Sequence, residues 1–474
     1  MRRRGVHRVA RVALTAAAAL VAACDLGRSS SPACAAQILD AHVLANADNA
    51  ISALLSVKAR GVDSVAVRFA VKGGSLDSVT AAVAASGDPS MSDSVIAPVL
   101  GLLPQTEYTL VPVGYAACGG VSGSSVAFTT GALPADLPTY STSGADPTRG
   151  YVAFAASPYG IVIDNTGRVV WYHRFPGGSG LNFQAQPQGR GHYFGLPPGQ
   201  PARWMEIDPA GTVVRTFGCA RNLQPRFHDL IVLGDNSLWL LCDETRSMDL
   251  TPFGGMANAQ VTGTVVQHVS ATGALLFEWN PFDHFAITDL DSLDRIGQNV
   301  NWTHGNALDL DSDGNLIVSF RALSEITKIN ATTGEVIWRM GGRAGQFVFG
   351  GANKQLFARQ HGVRAASAGA LVLLDNLSDP RESRAKRISY DVTRNPPTAW
   401  LSASYGSQPP VVALLGGTTQ ALLDGRTLVA YGNGGRVEEY DASGNVVWRI
   451  EGNPGYVFRA QRIRSLYHPG AFGR

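Results

Sequence analysis

Three histidines stand in polar segments that lead into apolar strands. They are His228 in QPRFHDLIVL, His304 in NWTHGNAL and His361 in FARQHGVRA. A neutral imidazole can attack an electrophile near pH 7, and a protonated one can give its proton to a leaving group. A single histidine before a strand is more often a turn or core residue. Three of them in matched positions predict one shared site.

Two further residues accompany His304. Asn306 lies two positions later, so it shares the His304 face if that segment is extended. Arg321 closes the strand expected to pair with the segment, and its planar, permanently charged guanidinium suits a tetrahedral oxyanion. A salt-bridged strand end is the alternative for Arg321 alone. Together with the histidines, these residues predict an anion site.

The elements that would position these side chains recur along the chain. An apolar strand, a polar turn ending in Gly and a second apolar strand repeat, with the turn glycines at Gly167, Gly211, Gly273, Gly334 and Gly444. The last gap is nearly double, and KRISYDVTRNPPTAWLSASY at 387–405 fits it as a degenerate copy. Six units of four strands predict an all-β, six-bladed β-propeller over 149–474, with an array of sandwiches as the alternative. The innermost strands would bring the three histidines to one central channel.

The first residues predict export. Residues 1–24 contain a basic start, a short apolar run and a Leu-Val-Ala-Ala-Cys ending, which together indicate a cleaved signal peptide. The segment 20–24 resembles a bacterial lipobox, so Cys24 is expected to be lipidated, with an ordinary signal peptide as the alternative. The protein is therefore expected on a periplasmic or cell-surface face, anchored through Cys24.

A second, smaller domain precedes the repeats. Residues 25–36 are rich in Ser, Pro and Ala and predict a tether. Short alternating strands over 37–132 predict a small β-sandwich, and its last strands resemble a fibronectin type III or immunoglobulin-like domain. Residues 133–148 have the Pro, Gly and Ser content of a linker.

The charge of the chain indicates which class of partner it binds. Five of the 39 Lys and Arg lie in the first 24 residues, which leaves 34 against 37 Asp and Glu, a formal net charge of −3. The chain has no cluster of basic residues that would attract nucleic acid, so small-molecule partners are expected.

The cysteines predict disulfide bonds. Apart from Cys24 four cysteines remain, and we favour Cys34–Cys118 and Cys219–Cys242 among the three connectivities because each bond then stays within one domain.

The repeats resemble a known enzyme family. The segments NWTHGNALDLDSDGNLIVSFRALSEITKINATTGEVIWRMGG, RQHGVRA and YGNGGRVEEYDASGNVVWRIEG are similar to bacterial arylsulfotransferases, and the similarity covers most of 150–474. It implies transfer of a sulfuryl group from an aryl sulfate ester to a phenol, without a nucleotide sulfate, another cofactor or a metal. Ping-pong kinetics through a sulfurylated histidine are expected. The oligomeric state stays open, with a homodimer as one option.

The resemblance also implies roles for the site residues. His361 falls at the nucleophile, and His228, His304, Arg321 and Asn306 fall at positions that bind and activate the sulfate. Many members have two adjacent histidines where this chain has Phe227 and His228, so His228 is either catalytic or structural.

Two other functions of the protein remain open. One is a non-catalytic, surface-anchored propeller that binds partners, and the other is a His-metal enzyme, against which the fixed charge of Arg321 argues.

Overall fold

The computed structural model describes residues 35–44, 46–186, 189–197, 199–351 and 355–467. The signal peptide with Cys24, nearly all of the tether, and Cys34 of the Cys34–Cys118 pair lie outside these residues. Within them the only helices are 3-10 turns, at Pro176–Gly178, Ala220–Asn222, Thr251–Phe253, Pro281–Asp283, Ile287–Asp289 and Ser292–Arg295. No helix in this described part has the length and apolar character needed to cross a membrane. The all-β prediction is confirmed.

The first nine strands form two antiparallel sheets. The side chains of β2 alternate between buried and less buried, as expected for a strand with one face on a core. β1, β2 and β6 form one sheet, and β3 and β7 with the shorter strands form the other. Both sheets contribute to a single apolar core that contains Leu55, Val67, Ala97 and Leu110. The strands are β1 (Gln37–Leu44), β2 (Ala53–Arg60), β3 (Ser64–Val71), β4 (Ser78–Val79), β5 (Val83–Ala84), β6 (Ser92–Val99), β7 (Glu107–Ala116), β8 (Gly119–Ser122) and β9 (Val126–Thr129).

The remaining strands form further sheets, each with a core of four antiparallel strands. The first half of this region contains β10 (Thr142–Ser143), β11 (Tyr151–Ala156), β12 (Tyr159–Asp164), β13 (Val169–Arg174), β14 (Gly180–Ala185), β15 (Gly191–Gly195), β16 (Arg203–Ile207), β17 (Val213–Phe217), β18 (Gln224–Val232), β19 (Leu238–Met248), β20 (Ala259–Val269), β21 (Leu275–Trp279) and β22 (Asn299–Asn301). The second half contains β23 (Gly305–Leu310), β24 (Leu316–Phe320), β25 (Glu325–Ile329), β26 (Val336–Gly341), β27 (Val348–Phe349), β28 (His361–Ser367), β29 (Ala370–Asp379), β30 (Glu382–Asp391), β31 (Thr398–Gly406), β32 (Thr418–Ala421), β33 (Thr427–Ala430), β34 (Val437–Tyr440), β35 (Val446–Ile450) and β36 (Ala460–Ile463).

Six of these strands make a closed ring. In the described chain β14, β18, β23, β28, β32 and β36 each lie at one edge of a four-stranded unit. Each contacts the next around the ring, and β36 returns to β14. Both ends of the region take part in closure. β36 adds to the sheet of β11–β13, and β10, within the expected linker, pairs with β35 of the last sheet.

The repeated hairpins form the outer half of each sheet. The hairpins β12–β13, β16–β17, β20–β21, β25–β26 and β34–β35 contain the five turn glycines, whose φ angles lie between 78° and 92°. Glycine adopts this left-handed conformation without a Cβ penalty. The degenerate copy forms β30–β31, the corresponding hairpin of a sixth sheet. The outermost strands place large side chains between sheets, since Trp171, Trp279, Trp338 and Trp448 are buried.

Cys219 and Cys242 form a disulfide bond, as the sequence predicted. Cys219 follows β17 and Cys242 lies in β19, so the bond joins two neighbouring sheets. Cys242 is fully buried in the apolar cluster that these sheets share. The bond therefore fixes the packing directly behind β18, the strand that contains His228.

Candidate active site

The three histidines meet at one end of the ring of inner strands. The ring centroid of His228 lies 5.0 Å from that of His304 and 6.4 Å from that of His361. They come from β18, the loop before β23, and the first residue of β28, which are three consecutive inner strands. Phe227 stacks on His228 with ring centroids 4.0 Å apart, so the residue that departs from the family pattern forms one wall of the cluster.

Breaks in the β-ladders present these side chains. Pro225 pairs with Cys242 and Leu230 with Leu240, so β18 advances five residues where its partner β19 advances two. His228 lies in the resulting bulge. β23 is bulged at Asn306, and β28 is bulged directly after His361. Bulges of this kind turn a side chain out of the sheet and are frequent beside active sites.

The prediction that Asn306 shares the His304 face was conditional on an extended segment. The segment is not extended, since His304 has a φ of 50° and the next residues are bulged, so strand alternation does not apply there. Asn306 is instead buried, and its Nδ2 donates to the carbonyl oxygen of Gln360 at 2.7 Å. It thereby holds the backbone immediately before His361, while its Oδ1 is buried without a partner in the described chain.

Hydrogen bonds define the tautomer of His361. The Gly416 N–H lies 3.3 Å from Nε2, which must therefore present its lone pair, so Nδ1 is protonated and donates to Oδ1 of Asn376 at 2.9 Å. The side-chain amide of Asn376 cannot be flipped without losing two hydrogen bonds, because its Nδ2 donates to the carbonyl oxygens of Ala413 and Gly416. His361 is thus a neutral imidazole whose lone pair is on Nε2.

The other two imidazoles have the opposite tautomer. Arg226, a donor only, reaches Nδ1 of His228 at 3.3 Å from its Nε. Nδ2 of Asn301 lies 2.6 Å from Nδ1 of His304. Both Nδ1 atoms therefore accept, which leaves an N–H on Nε2 of each ring. The cluster contains two neutral donors beside one lone pair.

All three histidines are neutral at pH 7. Burial lowers the pKa of His361 to about 4. The hydrogen bond that the ring donates to Asn376 opposes this shift, and the charge of Arg321 adds to it. Burial, followed by the charge of Arg226, lowers the pKa of His304 to about 2 and holds that of His228 well below 6.5. The same charges that keep these rings neutral would attract an anion.

Arg321 is the cation prepared for such an anion. Directly after β24, its backbone N–H donates to the carbonyl oxygen of His304 at 3.0 Å. Arg226 and Arg359 pair with the carboxylates of Asp243 and Asp294. Arg321 instead keeps a buried Nε with no hydrogen-bond partner in the described chain and donates from its Nη2 to the Leu414 carbonyl.

Sequence reasoning missed several residues of the cluster. Arg226 and Arg359 each stand two positions before a site histidine, and this repeated Arg-x-His spacing was a usable signal. Asn376 lies in the apolar strand β29, where a buried amide is unusual, but nothing local connects it with His361. Phe458, whose ring centroid lies 5.7 Å from His228 and 6.4 Å from His361, had no signal at all.

Comparison with known proteins supports the family. Residues 221–453 match the family model described as Arylsulfotransferase (ASST), and this range includes every histidine of the cluster. That part of the chain therefore belongs to the arylsulfotransferase family, as the resemblance indicated. The membership points to a transferase that acts on sulfur-containing groups, with small aryl compounds as donor and acceptor. No curated protein matches the chain.

Solved structures give distant likenesses. A protein of unknown function from Bacteroides caccae is 13% identical with a TM-score of 0.45, over 67% of this chain and all of that one. A streptogramin B lyase is 12% identical with a TM-score of 0.38, over 66% and 84% of the two chains. Virginiamycin B lyase from Staphylococcus aureus is 12% identical with a TM-score of 0.33, over 74% and 93%. At these scores they support no conclusion about the site.

The neutral imidazoles predict a loss of stability in mild acid. Below pH 6.5 the unfolded histidines take up protons, whereas His361, with a folded pKa of about 4, does not. The stability contributed by the depressed pKa is present above pH 6.5 and is lost as the pH falls toward 4. Between pH 7 and pH 5 this amounts to about 2 kcal/mol for one such imidazole. Urea unfolding at both pH values gives the loss in free energy of unfolding between pH 7 and pH 5. That loss should be smaller by about this amount in His361→Asn than in the unsubstituted protein. The exposed His42→Asn is the control, and an equal decrease in all three proteins would contradict the prediction.

Proposed function

We propose that this chain is an aryl-sulfate sulfotransferase that moves a sulfuryl group from an aryl sulfate ester to a phenol by a ping-pong mechanism through His361. One observation supports this most strongly. A neutral imidazole with its lone pair on Nε2 lies beside an arginine whose buried Nε has no partner in the described chain. A nucleophile and an oxyanion holder are the two groups that sulfuryl transfer needs, by analogy with phosphoryl transfer.

The proposed architecture follows from the ring of inner strands. We infer that the four-stranded units are the blades of a six-bladed β-propeller, whose central channel contains the histidine cluster. The closed contacts of the inner strands and the repeated outer hairpins support this interpretation. The first two sheets, which share one core, support a fibronectin III-like or immunoglobulin-like sandwich before it.

In the first half-reaction Nε2 of His361 attacks sulfur, an N–S bond forms, and the bond between sulfur and the aryl oxygen breaks. The electron pair leaves with the aryl oxide, which then takes one proton from solvent. The modified ring keeps its Nδ1–H, so the imidazole gains positive charge as the bond forms. The side-chain Oδ1 of Asn376 accepts a hydrogen bond from this N–H and stabilises that charge.

In the second half-reaction the oxygen of an acceptor phenol attacks the same sulfur. The N–S bond breaks, its electron pair returns to Nε2, and the phenol releases one proton, which balances the proton taken up before. Arg321 holds the equatorial oxygens in both steps through its planar fork. Each donor of this kind contributes about 2–4 kcal/mol at the transition state in a water-poor site.

The accessory histidines act as neutral donors. The sequence suggested that a protonated imidazole gives a proton to the departing phenoxide. With a pKa of about 2 for His304, an imidazolium is not populated at pH 7. The Nε2–H groups of His304 and His228 instead donate hydrogen bonds to the sulfate and the departing oxide. Asn306 supports the nucleophile through the Gln360 backbone.

We also propose that the protein is exported and anchored by a lipid on Cys24. The disulfide bond between Cys219 and Cys242 is consistent with an oxidising compartment. Mass spectrometry of the mature N terminus should find a diacylglyceryl group on Cys24. An unmodified N terminus at a neighbouring residue would identify an ordinary signal peptide and contradict the anchor.

The proposed intermediate predicts a stable label. A ³⁵S-labelled aryl sulfate offered without acceptor should leave one sulfuryl group on the peptide that contains His361, and added phenol should remove it. His361→Asn cannot form the N–S bond and should lose both labelling and transfer. Arg321→Lys keeps the charge but loses the fork, so slow transfer should remain.

The order of these variants tests the assignment. If His304→Asn were inactive while His361→Asn still transferred sulfate, His304 would be the nucleophile. Transfer that a chelator abolishes would favour the His-metal enzyme. A protein that binds aryl sulfate but never releases the phenol would favour a binding module.

Asn376 should be a positioning residue. Asn376→Ala removes the acceptor of the Nδ1–H, so part of the protein will carry the proton on Nε2 and cannot attack. We expect kcat to fall about 100-fold while KM for the donor changes little, since misplaced reacting groups cost about this much. Asn445→Ala, in an exposed turn, is the matched control. A parallel rise in KM, or an unchanged kcat, would contradict the role.

A further inference from the structure

A cavity of about 250 Å³ lies beside the histidine cluster. Its lining includes Pro138, Ala155, Leu181, Pro454, Tyr456 and Phe458. No charged side chain is among the described residues that line it. Such a wall suits a neutral, apolar group and would exclude the sulfate itself.

The cavity shares two lining residues with the surroundings of the histidines. Phe458 lies edge-on to both His228 and His361. Asn182 donates from its Nδ2 to the carbonyl oxygen of His228 at 2.8 Å. A group in the cavity would therefore lie against the same Phe458 ring that packs on the imidazoles.

The aromatic wall also reaches the nucleophilic atom through Gly416. A Cβ on this residue would lie 2.7 Å from the hydroxyl oxygen of Tyr456 and 2.9 Å from Cδ2 of Phe458, so these side chains fill the space above it. The Gly416 N–H donates to Nε2 of His361. Burial raises the pKa of Tyr456 to about 12, which keeps this wall uncharged.

The volume indicates the size of the ligand. A cavity of about 150 Å³ holds benzene, and pockets for drug-sized ligands begin at about 300 Å³. A volume of about 250 Å³ therefore fits one aromatic ring with a small substituent.

We propose that this cavity is the aryl subsite of the enzyme, which holds the ring of the donor and then the ring of the acceptor, and which selects single-ring phenols over fused-ring ones. The proposal rests on the proposed function. Arg321 and the imidazoles hold the sulfuryl group, while Leu181, Tyr456 and Phe458 enclose the ring attached to it. The ester oxygen would lie between the two parts, next to His361.

Leu181 allows a test by size. With 4-nitrophenyl sulfate as donor, Leu181→Trp should fill the cavity and lower kcat/KM for phenol at least tenfold. Leu181→Ala should enlarge it and raise kcat/KM for a fused-ring acceptor, naphthol, about tenfold relative to phenol, because changes of a few methylenes are worth 10- to 200-fold in a hydrophobic pocket. Leu423→Trp, at a position 70% exposed, is the control and should change neither value.

Direct binding separates this proposal from the proposed function. Equilibrium dialysis of phenol should show binding to His361→Asn and its loss in His361→Asn/Leu181→Trp. If the unsubstituted protein transfers no sulfate, the proposed function fails, yet loss of phenol binding on filling the cavity would still support an aryl site. If transfer occurs while folded Leu181→Trp and Leu181→Ala keep the original preference between naphthol and phenol, the subsite is wrong.

Discussion

A single buried carboxylate ties the inner strands together. Asp229, in β18, accepts from Arg364 of β28 at 2.7 Å and from Arg459, just before β36, at 2.9 Å. It also accepts the backbone N–H of Leu308 in β23 at 3.0 Å. Asn182 of β14 joins the network, because its Oδ1 accepts from Arg459. Charges that are fully buried must be compensated, and removing one partner of such a network typically costs about 3–5 kcal/mol. The relative positions of five inner strands therefore depend on this contact.

The histidine cluster depends on the same carboxylate. Asp229 directly follows His228, and Arg459 and Asn182 both donate to the His228 carbonyl oxygen. The bulge that presents His228 is therefore held from behind by charged and polar side chains rather than by its own β-ladder. A bulged strand without such support would have unpaired backbone groups in a buried place, which is costly. The network that closes the ring thus also fixes one side of the site.

The proposed reaction has two requirements that normally conflict. A nucleophilic imidazole must be neutral, and an oxyanion must be met by positive charge. Arginine resolves the conflict because its guanidinium stays charged in a buried place, while burial and that charge together keep the neighbouring imidazoles neutral. In the proposed reaction, the resting protein would then need no proton transfer before attack. In the proposed aryl subsite, the apolar cavity would hold the uncharged ring of an aryl sulfate, while the cluster would hold its charged sulfuryl group.

The sequence by itself determined the repeating hairpins and the all-β class, because turn glycines and alternating apolar residues act within a few positions. From those repeats it also predicted the Cys219–Cys242 bond and the convergence of His228, His304 and His361. Only the tertiary structure decided the direction of each side chain, because bulges in β18, β23 and β28 break the period of two on which sequence arguments rely. It also decided the tautomer of His361, the roles of Asn376 and Asp229, and the cavity at Phe458. Those depend on residues far apart in the chain, whose contacts arise when the ring closes, and no local pattern records them.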